Sequence, residues 1–177
     1  PTEDTSNETL PTPPAGESYP FVTINNVSLS TPGTASFTVS LIDAAGNPTT
    51  FSQVITISYY TQDGTATVAD TDYTAVPIAT PSTITIAAGQ ASTTLSVDSP
   101  SSTDADAGEY FYAVLKAVQN SADNGDNPNA VISQHYGTAT LNGPVAEWNF
   151  DVCTISAAFD IKDTSGNNLH ASPVNGI

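Results

Sequence analysis

The feature that most constrains this chain is a strict two-residue alternation near its start. Ala35, Phe37, Val39 and Leu41 interleave with Thr34, Ser36, Thr38 and Ser40, giving one apolar face and one face of hydroxyls. Successive side chains of a strand point to opposite faces, so this pattern specifies a half-buried β-strand. The same period continues at Ile55, Ile57 and Tyr59, at Ile84 and Ile86, and at Leu95 and Val97. It returns at Phe111, Ala113, Leu115 and Ala117, and again in a strand spanning Val131 to Leu141. Breakers separate these runs: Ala44-Ala45-Gly46-Asn47-Pro48, Asp63-Gly64, Ala88-Gly89-Gln90, and the polar loop from Ser121 to Asn129. No segment carries the 3.6-residue period of an amphipathic helix. Short strands with turns at this spacing predict an all-β, two-sheet antiparallel sandwich over residues 21–142.

Composition agrees and narrows the function. Hydrophobic residues make up 38% of the 177, enough for a core, while charged residues are only 11%, so Thr, Ser, Asn and Gln must build the surface. Lys116 and Lys162 are the sole basic residues and the net charge is −16. Such a chain cannot neutralise phosphates, which excludes nucleic acid as a partner and argues against an anionic membrane surface. No apolar run reaches the ~20 residues of a membrane-spanning helix, so no transmembrane segment is expected. Cys153 is the single cysteine, so an internal disulfide is excluded; the thiol is either a small buried hydrophobe or a link to another chain.

Three segments follow from these patterns. Residues 1–20, opening PTEDTSNETLPTPP, form a Pro/Thr-rich linker with little to bury. Linkers of this kind often follow a signal sequence or lipid anchor in bacterial surface proteins, so we expect a secreted chain at a bacterial cell surface, from a lipid-anchored precursor. Residues 21–142 hold the sandwich. Residues 143–177, after Asn142-Gly143-Pro144, carry their own apolar residues (Val145, Trp148, Phe150, Phe159, Ile161) but are too few to build a separate core.

Residues 27–141 resemble a Calx-β domain. The resemblance is carried by Thr61 to Ala75 (TQDGTATVADTDYTA), Ile84 to Gln90, the strand Glu109 to Leu115, and the closing Gly137-Thr138-Ala139-Thr140-Leu141, in that order and spacing. It implies an immunoglobulin-like sandwich. Some members bind calcium at one end of it, and calcium takes six to eight oxygens, several from carboxylates. On the family pattern the ligands here would be Asp72, Asp104, Asp106 and Glu109, with Asp98 nearby. The pattern is thinned, however: Leu29 stands where a glutamate is often found, and the acidic cluster before the long strand reads Ser101-Ser102-Thr103-Asp104-Ala105-Asp106. As an alternative, these aspartates serve as turn formers and solvated loop residues.

The tail carries a second resemblance. Ala146 to Cys153, Asp163 to His170 and Pro173 to Gly176 are similar to the opening of laminin-G-like, concanavalin-type jelly rolls, as carried by bacterial pilus-associated surface proteins. Only the opening is present.

Motifs of catalysis are missing. The sequence has no G-x-S-x-G elbow, H-E-x-x-H pair, dinucleotide fingerprint or P-loop. His135 and His170 lie far apart, each without a companion at metal-ligand spacing, and read as surface or packing residues. Asp104 and Asp106 lack an evident cleft for acid–base work. Lys116, on a strand among aromatics, reads as a snorkelling or ion-paired side chain. We therefore expect a non-enzyme without a cofactor, unless calcium binds. The leading expectation is a structural subunit of a bacterial surface assembly, a pilus-like fibre or adhesin stalk. Its copies would join by strand addition through the terminal extensions, with Val145, Trp148, Phe150, Phe159 and Ile161 as contacts. The alternatives are a monomeric calcium-binding adhesion module and a non-catalytic module of a larger surface protein, with a glycan or surface ligand unidentified.

Overall fold

The alternating run at 34–41 becomes the longest strand of one sheet, and its burial follows the sequence residue by residue. Ala35, Phe37, Val39 and Leu41 are fully buried, while Thr34, Ser36 and Thr38 are exposed. This computed structural model describes residues 12–29, 33–99, 108–119 and 128–141. Nine strands are present among them: β1 (Phe21–Ile24), β2 (Val27–Leu29), β3 (Gly33–Ile42), β4 (Ile55–Asp63), β5 (Ser82–Ile86), β6 (Ser92–Ser99), β7 (Glu109–Gln119), β8 (Val131–Ile132) and β9 (Tyr136–Leu141). They form a four-stranded sheet in the order β6-β3-β1-β8 and a five-stranded sheet in the order β2-β9-β7-β4-β5. The two inner faces make one core. Phe37 meets Phe111 edge to face at 6.4 Å, and Tyr73 stacks on Phe111 at 4.2 Å. Each large apolar side chain buried here contributes roughly 1.5–3 kcal/mol. The described residues therefore form the all-β, two-sheet sandwich that the alternation predicts, with the immunoglobulin-like architecture that the resemblance implies.

Two details depart from the simple pattern. First, Val131 to Leu141 is two strands, not one. Residues Ser133 to His135 carry the chain from one sheet to the other. The same happens at Asn25 and Asn26, between β1 and β2. The two crossing segments run side by side, so β1 pairs with β8 and β2 with β9 in parallel, within an otherwise antiparallel architecture. Side chains stitch the crossing. The Asn25 Oδ1 accepts from the Thr38 N–H at 2.6 Å, and Asn26 Oδ1 accepts from the Thr138 N–H at 2.9 Å. Gly137 lies where a Cβ would collide with the Asn25 carbonyl and come within 2.9 Å of the Phe37 ring.

Second, Ala117 does not continue the inward face of β7. Opposite β4, Ser58 pairs with Ala117 but Tyr59 pairs with Leu115, so Lys116 is the extra residue of a β-bulge. The bulge reverses the parity. Phe111, Ala113 and Leu115 point inward, Ala117 is exposed, and Val118 packs on the core instead. The displaced Lys116 Nζ donates to the Ile78 carbonyl at 3.3 Å.

Candidate functional site

The strand registers bring six strand ends to one pole of the sandwich: the starts of β3 and β7 and the ends of β2, β4, β6 and β9. The stretch singled out by sequence, Thr61 to Ala75, folds over this pole. Its acidic residues are used to shape it. Asp72 is buried at 2% exposure, and its Oδ2 accepts from the Thr67 N–H at 2.8 Å. The Asp72 carbonyl receives the Ser99 hydroxyl at 2.6 Å, tying the loop to the end of β6. The Asp70 carboxylate accepts from the Thr67 hydroxyl at 2.9 Å. Asp63, at the end of β4, accepts from the buried Tyr73 hydroxyl and from the Val68 N–H. Burial pushes the Tyr73 phenol well above its ordinary range, and the adjacent Asp63 carboxylate adds to the shift. Thr71 takes a positive φ of 64° at the tip of this loop.

Of the expected metal ligands, the fold brings Asp72 and Glu109 to the same pole. Glu109 opens β7 beside Leu141. Asp98 is there too, its Oδ1 accepting from the Thr34 hydroxyl at 3.0 Å. Asp104 and Asp106 belong to the connection between β6 and β7 and lie outside the described residues. Among the described residues, no three His, Cys, Asp or Glu side chains group as a metal site would require. Calcium takes six to eight oxygens; here one oxygen of Asp72 and one of Asp63 already accept hydrogen bonds from the loop. The sequence reading missed the contribution of Asp63. Its Asp-Gly signal marked a turn, whereas the carboxylate also anchors Tyr73 ten residues on.

The opposite pole gathers the starts of β1, β4 and β6 and the ends of β3, β5 and β7. Here the chain enters along the side of the sandwich. Tyr19 packs on Phe51 at 5.9 Å, Glu17 accepts from the Ser52 hydroxyl at 2.8 Å, and the buried Pro20 offers its carbonyl to the Val131 N–H at 3.0 Å. Asp43 closes the neighbouring turn by accepting from the Ala45 and Asn47 N–H groups, and the Asn47 bonds hold its carboxyl below the usual range. His135 is exposed between β8 and β9, its carbonyl taken by the Leu115 N–H. His170, Cys153 and the tail contacts Val145, Trp148, Phe150, Phe159 and Ile161 lie outside the described residues. No helix among the described residues is long and apolar enough to cross a membrane.

Solved structures with the same arrangement decide the fold. The apo-form Calx CBD1 domain shares 16% identity, over 71% of this chain and 97% of that one, with a TM-score of 0.50. This chain has a Calx-β-like fold. The Calx CBD2 domain aligns at 9% identity over 68% of this chain and 85% of that one, TM-score 0.51. The calcium binding domain CBD12 of CALX1.1 aligns at 14% identity over 80% of this chain and 57% of that one, TM-score 0.50. No family profile and no curated protein sequence matches the chain.

Proposed function

We propose that this chain is a non-enzymatic structural module of an extracellular surface assembly, a pilus-like fibre or adhesin stalk, whose copies join through their terminal extensions. The observation that carries this reading is the placement of the two ends of the sandwich. The chain enters at Phe21, opposite Ile42, and leaves at Leu141, opposite Glu109, so the ends lie at opposite poles. The ten residues of β3, which run from pole to pole, set this separation at about 30 Å. A module threaded from pole to pole transmits tension along its strands and stacks head to tail, which gives an open fibre rather than a closed ring. The pilus-associated resemblance of the tail, and carboxylates spent on loop structure rather than on a reactive cleft, support the same reading. The test is sedimentation velocity of the full chain over a hundredfold concentration range, with electron microscopy. Linear particles that lengthen with concentration are expected. A single monomer boundary throughout would overturn the proposal.

A calcium-dependent adhesive module is the second reading. It is favoured by one placement: the connection bearing Asp104 and Asp106 leaves Ser99 and returns at Gly108, at the pole that holds Asp72 and Glu109. The alignment to a domain named as calcium binding supports it as well. Calorimetric titration with calcium separates the readings. Heat that disappears in Asp104→Asn/Asp106→Asn favours the second, and no heat at millimolar calcium removes it.

A further inference from the structure

Strand β6 is the outer strand of its sheet, and its backbone can be followed group by group. Paired residues of an antiparallel ladder alternate between those that exchange hydrogen bonds and those whose N–H and C=O point away. Two bonds fix the phase. The Ala91 carbonyl accepts from the Leu41 N–H, on the β3 side, whereas the Asp98 carbonyl faces outward and accepts from the Thr74 N–H at 2.7 Å. Ser92, Thr94 and Ser96 therefore present their N–H and C=O groups outward, and these six groups make no backbone hydrogen bond among the described residues. Thr38, opposite Thr94, confirms the phase, because its own N–H and C=O turn the other way and bond Asn25.

Natural sandwiches protect such an edge with lysine, proline, a bulge or a covering loop. Between Ser92 and Val97 there is no lysine, proline or bulge, and among the described residues the 64–81 loop bonds β6 at Asp98 and Ser99, beyond this stretch. The four-stranded sheet is also one strand short of the sheet it covers, and Ile84, on the neighbouring strand β5, is only half-buried.

The sequence supplies a partner of matching character. Beyond Leu141 the chain continues for 36 residues. Trp148, Phe150 and Val152 alternate with Asn149, Asp151 and Cys153, and then Ile155, Ala157, Phe159 and Ile161 alternate with Ser156, Ala158 and Asp160. The second run, Ile155 to Ile161, contains neither proline nor glycine and is seven residues long, against six open positions on β6. We infer that residues 155–161 of one copy pair as an added strand with the Ser92–Val97 edge of a second copy. The six outward backbone groups give the affinity, and the alternating apolar side chains extend the core face beside Leu95 and Val97. This rests on the fibre reading above and names both surfaces of its joint.

The test uses the full chain and two variants of one residue. The Ser96 N–H points away from β3, so Ser96→Pro removes no ladder bond and obstructs only an incoming strand. Ser96→Lys leaves the backbone intact and places a charge on the edge. Both variants should retain the circular dichroism and cooperative melting of the parent and raise the concentration needed for assembly at least tenfold. If both fold and assemble like the parent, this edge is not the joint, although the fibre reading survives. If the parent itself is monomeric at every concentration, both readings fall. A bismaleimide cross-link between Cys153 and a cysteine placed by Thr94→Cys should join two chains; a cross-link formed only within one chain would overturn the second-copy assignment.

Discussion

On one side of the sandwich, β1–β2 and β8–β9 pass from sheet to sheet together, paired in parallel and held by Asn25, Asn26 and Gly137. On the other side, β6 ends its sheet with a regular eight-residue ladder to β3 and, among the described residues, no strand beyond it. Both sides close the same core, but they differ in what they leave unsatisfied. Where the strands switch sheets, the edges left are β8 and β2, two and three residues long and too short to template a further strand. A strand that stays in one sheet leaves a continuous edge. The first side is thus specified by packing, so substitutions there should register as lost stability. The second is specified by little more than the inward alternation of Leu95 and Val97, so substitutions on its outward positions should register in association alone.

The largest effect is expected at the crossing. Gly137→Ala puts a methyl group against the Asn25 carbonyl and the Phe37 ring, in a place where neither the backbone nor a fully buried aromatic can yield. Overpacking of this kind should cost about 3 kcal/mol, read from the urea midpoint of unfolding. Gly33→Ala is the control. A Cβ there meets nothing within 4 Å, so the change should be neutral or slightly stabilising. Equal effects at the two glycines would break the comparison.

A smaller effect is expected at the acidic pole, and it carries a pH signature. Tyr73 is buried and donates to Asp63, so its phenol stays protonated in the folded chain above the ordinary value of 10.0. In the unfolded chain the phenol ionises near that value. The unfolded state then binds fewer protons than the folded one, so stability is complete below pH 10 and falls as pH rises beyond it. Tyr73→Phe should cost about 1–2 kcal/mol at neutral pH, through the Asp63 acceptor it abandons, and should flatten the decline in melting temperature above pH 10. An unchanged alkaline decline would assign it to another group.

Much of the fold was legible because the alternation is unusually clean. Hydroxyls fill the outward positions of β3 from Thr34 to Ser40 and of β6 from Ser92 to Ser96, so the period of two is seen without interference. The signal failed where parity changes without a change in composition. Lys116 gave no indication that it is the extra residue of a bulge, because the β4 register that creates the bulge is a long-range property. Val131 to Leu141 read as one strand because Ser133-Gln134-His135 contains no strong breaker. The switch there is imposed by the neighbouring Asn25-Asn26, 110 residues away in register. At the pole, the family resemblance singled out Asp72, but only the structure shows that its carboxylate is buried and bonded to the Thr67 N–H. The burial and the bond are made by the folded loop, and local sequence does not encode them.

Asn26→Ala should have a moderate effect of about 1 kcal/mol, since it removes the acceptor of the Thr138 N–H while leaving the β2–β9 ladder in place. Urea unfolding checks it. A cost near zero would mean that the ladder alone joins the crossing segments and that the asparagine stitch adds nothing.

The smallest effect is the one expected on β6. Ser96 is exposed, its side chain stands on the outer face, and its N–H points away from β3. Ser96→Lys should therefore shift the unfolding free energy of the dilute, unassembled chain by no more than about 0.5 kcal/mol. The added cation lies on a chain with a net charge of −16, so simple electrostatics would draw copies together rather than apart. Association that is nonetheless lost at Ser96→Lys, at low and high salt alike, identifies obstruction of backbone pairing as the cause. Association that strengthens at low salt and returns to the parental level at high salt would show that charge governs the contact and that the β6 edge plays no part in it.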